Sequence, residues 1–352
     1  SLSRTFVKER GWNSVSMNFR GISGVSSIGD DDNMATPRSY TAAYTGDIRS
    51  IVNQLSSRLV QQTTQTGYNP YLFLIGNSLG AMIITKYLGE EGLANTLPLN
   101  VLGGVSLGNP FKFHSDKIKS PFNEIMGIAR KMNYHKQRKS MNMIQQQSSS
   151  SGGTANVTTN VINDVTTNIR NISLSSLDRI IAPYMVRNSI HPPYETKIGY
   201  GHISYDTNND SNSINAKSRS KLDPHDSHDA DDSAAKEYWY DSSCYRQQRH
   251  ITIPYMHIIA KDDYLCYNNA VQSYILNFTL NNNPNIILVI TQCGGHLGWQ
   301  QSESKSESSK IEIDSKSESK SRSSSSSWFG NSWADNATSD FFQAIIDTNT
   351  NH

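Results

Sequence analysis

Hydrophobic residues are concentrated in two blocks, at about 1–110 and 240–352, that are separated by long polar tracts. In the first block, residues 47–60 carry apolar side chains at the i, i+3, i+4, i+7 spacing that predicts an amphipathic helix. Apolar runs at 71–75 and 99–107 predict buried strands, and the run at 71–75 is followed by helical spacing to about residue 89. Upstream, residues 6–10 are interpreted as a helix end closed by Gly11, and the alternation over 12–19 as a strand.

The second block repeats the alternation of strand and helix. Apolar stretches at 251–260 and 285–291 predict two more strands, and residues 268–276 and 340–346 predict helices. Strands that alternate with helices are typical of a parallel sheet covered on both faces. We therefore predict an α/β fold, with a mostly parallel sheet and helices on both sides.

The region between the blocks has a different composition. Residues 112–143 favour a helix rich in Lys, Arg and Met, whereas 145–159, 156–172 and 206–235 are dominated by Gln, Ser, Asn, Thr and Asp. Residues 302–327 form another polar tract, of Ser, Lys and Glu. Such tracts bury too little apolar area to offset chain entropy, which predicts disorder. The predicted division is a first core part over 1–110, a partly disordered insertion over 111–240 and a second core part over 241–352.

Composition and charge exclude several classes of protein. The chain has 352 residues, 36% of them hydrophobic, with 32 basic against 31 acidic side chains, so its near-neutral charge does not indicate a nucleic-acid partner. The basic residues within 112–139 are sparse and favour a solvated helix face over a membrane-surface patch. Three cysteines suggest neither a disulfide framework nor a metal-binding spacing, and no cofactor motif is present. No apolar run reaches the length of a membrane span, and no signal peptide is visible.

The first candidate for chemistry lies in the turn after the strand at 71–75. Gly76-Asn77-Ser78-Leu79-Gly80 matches the G-x-S-x-G nucleophile elbow, in which a strained strand-to-helix turn exposes a serine hydroxyl. Chance supplies about 0.2 such matches in a chain of this length and composition, so the pentapeptide alone is a weak indication. We expect a Cβ at Gly76 or Gly80 to clash, because strand and helix pass close together there. The helix N-terminus that follows offers N–H groups to an oxyanion.

Two loops of the second block supply the partners that a serine nucleophile needs. Asp262 and Asp263 follow the strand at 251–260, and His296 follows the strand at 285–291 after Gly294-Gly295. Ligands bind at the carboxyl ends of strands in open parallel sheets, and the order Ser, Asp, His is that of α/β-hydrolases. His296 is predicted to be the base. Of the two acids, Asp263 is favoured as the triad acid and Asp262 as its structural neighbour.

These features together resemble the AB hydrolase 4 family of the α/β-hydrolases, which contains abhydrolase-domain lipid hydrolases, embryogenesis-associated proteins and bacterial esterases. The resemblance rests on motifs spread over nearly all of the predicted ordered sequence: Asn18-Phe19-Arg20-Gly21 with Ser23-Gly24, Thr36-Pro37-Arg38-Ser39-Tyr40, Asp47-Ile48, Gly76 to Gly80, Lys86-Tyr87-Leu88-Gly89, Asn109-Pro110, Glu237-Tyr238-Trp239-Tyr240, Asp262-Asp263 and Gly294-Gly295-His296-Leu297-Gly298. The combination is far more specific than any one of them.

The resemblance implies an esterase or lipase that acts on acyl esters such as monoacylglycerols, phospholipids or smaller esters. It assigns Ser78 as nucleophile, Asp263 as acid, His296 as base and the Leu79 N–H as one oxyanion-hole donor, and it makes residues 112–241 a cap over the acyl site. Neither a cofactor nor a metal is implied. Acyl transfer or peptide hydrolysis by the same triad, or an inactive scaffold protein, are the alternatives.

The family also carries early strands and a His-Gly oxyanion loop before the region that matches Ser1. The chain is therefore expected to be N-terminally truncated, with an incomplete sheet edge and little activity of its own, since one lost oxyanion donor costs about 10²–10³ in rate. Equal esterase turnover by the chain and an N-terminally extended form would contradict this expectation. Membrane association is expected only through that upstream segment, and localisation stays open between membrane and cytoplasm.

Overall fold

Four parallel strands form the sheet of this protein, in the order β1-β2-β3-β4. They are β1 (Leu72–Asn77), β2 (Val101–Leu107), β3 (Tyr255–Ala260) and β4 (Ile286–Thr291). The computed structural model describes residues 2–19, 40–67, 70–133, 172–182, 233–266, 283–299 and 332–350. Neighbouring strands are in register near their carboxyl ends, where Asn77 pairs with Leu107, Leu107 with Ile258 and Ala260 with Thr291. The loops that follow all four strands therefore leave the sheet at the same edge.

Helices cover both faces of the sheet. They are α1 (Leu2–Glu9), α2 (Gly46–Thr66), α3 (Leu79–Ala94), α4 (residues 122–133), α5 (Leu174–Ile181), α6 (Ser233–Ser242) and α7 (Trp333–Thr350). In β1, Leu72 and Leu74 pack with α2 and α3, whereas Phe73 and Ile75 pack with α1 and α7. Alternate residues of a strand point to opposite faces, so this burial of both sets explains why the strand is apolar throughout. The predicted α/β class is confirmed.

A third apolar cluster lies in the region predicted to be a cap. Leu174 and Leu177 of α5 pack there with Tyr238 and Trp239 of α6, and the cluster contacts Met82 of α3. The indole N–H of Trp239 donates a hydrogen bond of 2.9 Å to the buried Asp178, which joins the two helices. Neither helix was predicted from the periodicity, because each is short and α6 begins inside a polar tract. The division of the chain at 110 and 240 stays a prediction.

Buried charges attach the helices next to the elbow to one another. Arg49 of α2 contacts Glu90 and Glu91 of α3, and all three side chains are almost inaccessible to water. Lys86 of α3, equally buried, contacts the carboxylate of Asp241 at 2.9 Å. Helix α3 is thereby attached both to α2 and to α6. Within the described ranges, no helix combines the length and the apolar character needed to cross a membrane.

The strand prediction over 12–19 is wrong. These residues are described but form no strand, and most of their side chains are exposed. Alternation alone does not make a strand, since backbone groups need a neighbouring ladder that this segment does not have among the described residues. Three predicted helices, over 47–60, after the elbow and over 340–346, are present as α2, α3 and α7, and α2 and α7 extend beyond the predicted ends. The predicted helix at 268–276, most of the polar tracts and the end of the 112–143 helix lie outside the described residues.

Candidate active site

Ser78 stands between β1 and α3 in the backbone conformation of a nucleophile elbow. Its φ of 51° and ψ of −115° are rare for a residue with a side chain and are sustained here by hydrogen bonds at each end. Its N–H donates to Leu107 O at 2.8 Å, and its carbonyl accepts from Met82 N at 3.2 Å. The turn is thus held between β2 and the first turn of α3, and the structure places Ser78 where the sequence predicted it.

The two glycines of the elbow differ in whether a side chain would fit at their position. A Cβ added to Gly76 would lie 2.4 Å from Gly80 O, so this position requires glycine. At Gly80 the nearest atom to an added Cβ is Phe19 Cζ at 3.9 Å, an ordinary contact. The expectation that both flanking positions exclude a side chain therefore holds at Gly76 and is wrong at Gly80. The reason is that a Cβ on Gly76 would point towards the backbone at the start of α3, whereas a Cβ on Gly80 would not approach β1.

His296 connects Ser78 to Asp263. Its Nε2 lies 2.7 Å from Ser78 Oγ, and its Nδ1 lies 2.9 Å from Asp263 Oδ2. The Asp263 side chain is 1% exposed and its other oxygen accepts from the N–H groups of Leu265 and Cys266 at 2.9 and 3.0 Å. With Asp263 ionised, Nδ1 carries the proton and Nε2 is the acceptor for the serine hydroxyl. The structure thus brings together the three residues that the sequence selected.

Asp262 has a different set of contacts. Its carboxylate accepts hydrogen bonds from Gly295 N at 2.8 Å and from Gly294 N at 3.3 Å. It faces the backbone before His296 and is exposed, whereas Asp263 is buried against the imidazole. Of the two adjacent acids, Asp263 is the one in contact with His296, and Asp262 joins the loop after β3 to the loop after β4.

The loop that carries His296 is held by close backbone approaches. A Cβ on Gly108, just after β2, would lie 2.5 Å from His296 O, and a Cβ on Gly294 would lie 2.2 Å from the indole nitrogen of Trp299. The Trp299 ring is buried, and its Nε1 donates to Thr291 Oγ1 at 2.9 Å. The tryptophan therefore closes the loop back onto the end of β4. Sequence reasoning missed Gly108, although a glycine directly after a strand was available as an indication.

Cys266 is a site neighbour that sequence reasoning also missed. Its Sγ lies 3.5 Å from His296 Nδ1, three residues after Asp263 in the same loop. Burial raises the pKa of this thiol well above its usual range, and the neighbouring Asp263 carboxylate raises it further. The thiol is therefore protonated at neutral pH. Only its position in the loop next to the acid could have drawn attention to it.

Leu79 is the first residue of α3 and directly follows Ser78. The first N–H groups of a helix have no intrahelical acceptor, so the Leu79 N–H is available for an oxyanion beside Ser78. The Leu79 side chain packs against the cluster of α5 and α6. The elbow thus places the Ser78 hydroxyl next to the first N–H groups of α3.

Apolar side chains lie beside the loops that carry Asp263 and His296. The ring of Phe122, at the start of α4, stacks on Tyr264 with 4.2 Å between centroids, and Tyr264 directly follows Asp263. Helix α4 then exposes Ile125, Ile128 and Met132 at helical spacing, and Leu297 beside His296 is 45% exposed. An exposed apolar stripe next to a polar site is suited to contact with an apolar molecule.

Comparison with known proteins gives two sequence relatives. The chain is 35% identical over 105 residues, 30% of its length and 19% of the relative's, to the embryogenesis-associated protein EMB8 of Picea glauca. It is 34% identical over 82 residues, 23% of its length and 16% of the relative's, to the monoacylglycerol lipase of Saccharomyces cerevisiae. These two matches support an α/β-hydrolase of the AB hydrolase 4 type. Its match spans less than a fifth of either relative.

Solved structures resemble the chain more distantly. An esterase (EaEST) from Exiguobacterium antarcticum aligns with a TM-score of 0.35 and 12% identity, over 84% of this chain and 78% of that one. The monoacylglycerol lipase of Paleococcus ferrophilus aligns with a TM-score of 0.31 and 11% identity, over 73% and 68%. Because these TM-scores are low, the assignment of the fold depends on the parallel sheet and the nucleophile elbow of the chain itself. No protein-family model matches the chain.

Proposed function

We propose that this protein is a serine hydrolase of carboxylic esters, with Ser78 as nucleophile, His296 as general base and Asp263 as the acid that orients the imidazole. The observation that carries the proposal is the continuous line of contacts from Ser78 Oγ to His296 Nε2 at 2.7 Å and from Nδ1 to Asp263 at 2.9 Å. A serine hydroxyl is a weak nucleophile until a base within hydrogen-bond reach takes its proton, and this arrangement supplies that base.

The reaction would proceed in two stages. Ser78 Oγ attacks the ester carbonyl while its proton moves to His296 Nε2, and the Leu79 N–H donates to the developing oxyanion. The imidazolium, stabilised by Asp263, then protonates the leaving alkoxide, which departs as an alcohol and leaves an acyl-enzyme. A water molecule deprotonated by His296 then attacks the acyl group, and the imidazolium returns this proton to Ser78 Oγ as the bond to the acyl group breaks and the carboxylic acid leaves.

Two observations favour an acyl lipid such as a monoacylglycerol or phospholipid as the substrate. Phe122 and Tyr264 form an aromatic pair beside Asp263, and α4 and Leu297 present apolar side chains to solvent around the same loops. A long acyl chain gains about 0.8 kcal/mol for each methylene that it removes from water, so such a surface favours long chains. One of the two sequence relatives is named a monoacylglycerol lipase.

A fluorophosphonate probe tests the nucleophile directly, because it labels a serine only when a base activates it. We expect labelling of the chain, because labelling needs only an activated serine and not full turnover. It should be abolished by Ser78→Ala and retained by Ser57→Ala, a change at an exposed serine of α2. The His296→Ala variant should also fail to label. A correctly folded chain that shows no labelling would contradict the proposal and favour the scaffold alternative.

A series of p-nitrophenyl esters from acetate to dodecanoate tests the substrate class. We expect kcat/KM to rise with chain length, and the Leu297→Ser variant to reduce this dependence while hydrolysing the acetate like the unaltered chain. A flat profile would contradict the lipid assignment and leave a general esterase. Faster turnover of matched amides, or acyl transfer to added glycerol in preference to water, would point to the peptidase or acyltransferase alternative.

A further inference from the structure

Asp263, Cys266 and His296 form a cluster of three metal-ligating groups at the site. Their Oδ, Sγ and Nδ1 atoms all lie within 4.8 Å of one another. Cys266 has no role in the proposed hydrolysis, yet its sulfur lies 3.5 Å from the imidazole nitrogen that faces Asp263. Asp263 and Cys266 are buried and His296 is partly buried, so the cluster is largely shielded from water.

Two of the three distances among these atoms are near those of zinc ligands, and the third, between Cys266 Sγ and Asp263, is at most 4.8 Å. Zinc binds cysteine sulfur at about 2.3 Å and histidine nitrogen or carboxylate oxygen at about 2.0–2.2 Å, with tetrahedral angles. Two such ligands lie about 3.3–3.6 Å apart, a range that follows from those bond lengths. The observed 3.5 Å between Cys266 Sγ and His296 Nδ1 falls in it. The 2.9 Å between Nδ1 and Asp263 Oδ2 must open by about 0.4 Å to admit the metal.

We propose that Asp263, Cys266 and His296 bind a thiophilic divalent cation, of which Zn²⁺ is the type, and that the bound ion switches the hydrolase off. The binding site stands on its own, whereas the switch rests on the proposed function. One thiolate and one carboxylate balance the charge of the ion, so the buried complex is neutral overall. A water molecule would complete the fourth position.

Inhibition follows from the tautomer of His296. In the triad Nδ1 carries the proton and Nε2 accepts from Ser78, and a cation on Nδ1 requires the opposite arrangement. The proton of Nδ1 then resides on Nε2, which can no longer accept the hydroxyl proton of Ser78. The Cys266 thiol loses its proton to solvent as the sulfur–metal bond forms. One proton is therefore released for each cation bound, and no redox partner is needed.

Cobalt binding tests the site without any need for activity, because a thiolate on Co²⁺ gives a charge-transfer absorption band. We expect one equivalent of Co²⁺ to produce this band in the chain and in Ser78→Ala, since Ser78 is not a ligand. Cys266→Ser should abolish it, and Cys293→Ser, a change at the exposed cysteine, should retain it. No band in the unaltered chain, or a band retained by Cys266→Ser, would overturn the site.

Zinc inhibition of fluorophosphonate labelling tests the switch. We expect the labelling rate to fall as Zn²⁺ is added and to return when a chelator is added. With each rate divided by the metal-free rate of the same variant, inhibition of Cys266→Ser should need at least about tenfold more Zn²⁺ than inhibition of the unaltered chain. Equal sensitivity of the unaltered chain and Cys266→Ser to Zn²⁺ would overturn the switch. If Cys266→Ser does not fold, Cys266→Ala replaces it in the comparison. A cobalt band in a chain that never labels would overturn the proposed function while supporting the metal site.

Discussion

Gly295 donates its backbone N–H to Asp262 at 2.8 Å, and this bond, with a longer one from Gly294, joins the two loops that carry Asp263 and His296. Two adjacent aspartates thus have separate roles: one contacts the imidazole, and the other holds the backbone that presents it. The Asp262 contact is exposed and the Asp263 contact is buried, so the loss of the Asp263 contact should cost much more free energy than the loss of the Asp262 contact.

Replacing each aspartate by asparagine should separate these roles. Asp263→Asn is expected to lower ester turnover by about 10³–10⁴, because an amide favours the wrong imidazole tautomer. Asp262→Asn keeps one acceptor for the Gly295 N–H and loses at most an exposed hydrogen bond of about 0.5–1.5 kcal/mol, about tenfold or less in rate. Single-turnover labelling rates check both, and a larger loss in Asp262→Asn would exchange the two assignments.

The elbow glycines should respond differently to alanine. Gly76→Ala places a methyl group 2.4 Å from Gly80 O, and we expect a loss of at least about 1–3 kcal/mol in the free energy of unfolding. Gly80→Ala meets nothing closer than 3.9 Å and should leave stability unchanged or raise it by up to about 0.5–1 kcal/mol, since alanine favours a helix. Denaturant unfolding measures both. Equal destabilisation by the two changes would contradict a close approach at Gly76 alone.

The buried ion group on α3 predicts a large effect far from Ser78. Arg49 contacts Glu90 at 2.8 Å and also Glu91, with 2% of its own side chain exposed. Arg49→Leu removes the cation that Glu90 and Glu91 share, and leaves Glu90 with only the nearby charge of Lys86, so it should cost up to about 3–5 kcal/mol of stability. Arg58→Leu, at an exposed arginine of the same helix, is the matched control and should stay within about 0.5 kcal/mol. Similar losses in the two variants would contradict this interpretation.

His257 should make the fold sensitive to acid. It is fully buried on β3, where Ser106 contacts its Nδ1, and its Nε2 has no partner in the described part of the chain. Burial lowers its pKa from 6.5 to about 3. Between pH 6.5 and pH 3, His257 is therefore protonated in the unfolded chain but not in the folded chain. The stability of the fold is complete above pH 6.5 and decreases as the pH falls towards 3.

The comparison of the unaltered chain with His257→Asn isolates this contribution, because asparagine keeps a polar group near Ser106 and does not titrate. Between pH 7 and pH 5 the unaltered chain should lose about 2 kcal/mol more than the variant. The difference is needed because burial raises the pKa of Glu90 and Asp178, and these groups act in the opposite direction. Parallel curves for the two proteins would show that His257 is protonated without cost.

Much of the core was predictable because its information is local. The apolar run before Ser78, the helical spacing after it and the two later strands each depend on neighbours a few residues away. The same reasoning failed for residues 12–19, where alternation was present but no described strand lies beside the segment. It also missed α5 and α6, which are stabilised by their mutual cluster and by the bond from Trp239 to Asp178 rather than by their own periodicity.

The sequence by itself determined the strand-helix alternation, the elbow and the chain order of Ser78, Asp263 and His296, because each of these features is identified from the residue types within a short segment. Only the tertiary structure decided which aspartate contacts the imidazole, which elbow glycine is required and that Cys266 lies against His296. The outcomes for the aspartates and Cys266 depend on distances between loops that are separated by about thirty residues or more along the chain and meet where the parallel strands end, whereas the outcome for the glycines depends on the backbone direction within the elbow. Register and backbone direction set such distances, and neither can be read from a spacing in the sequence.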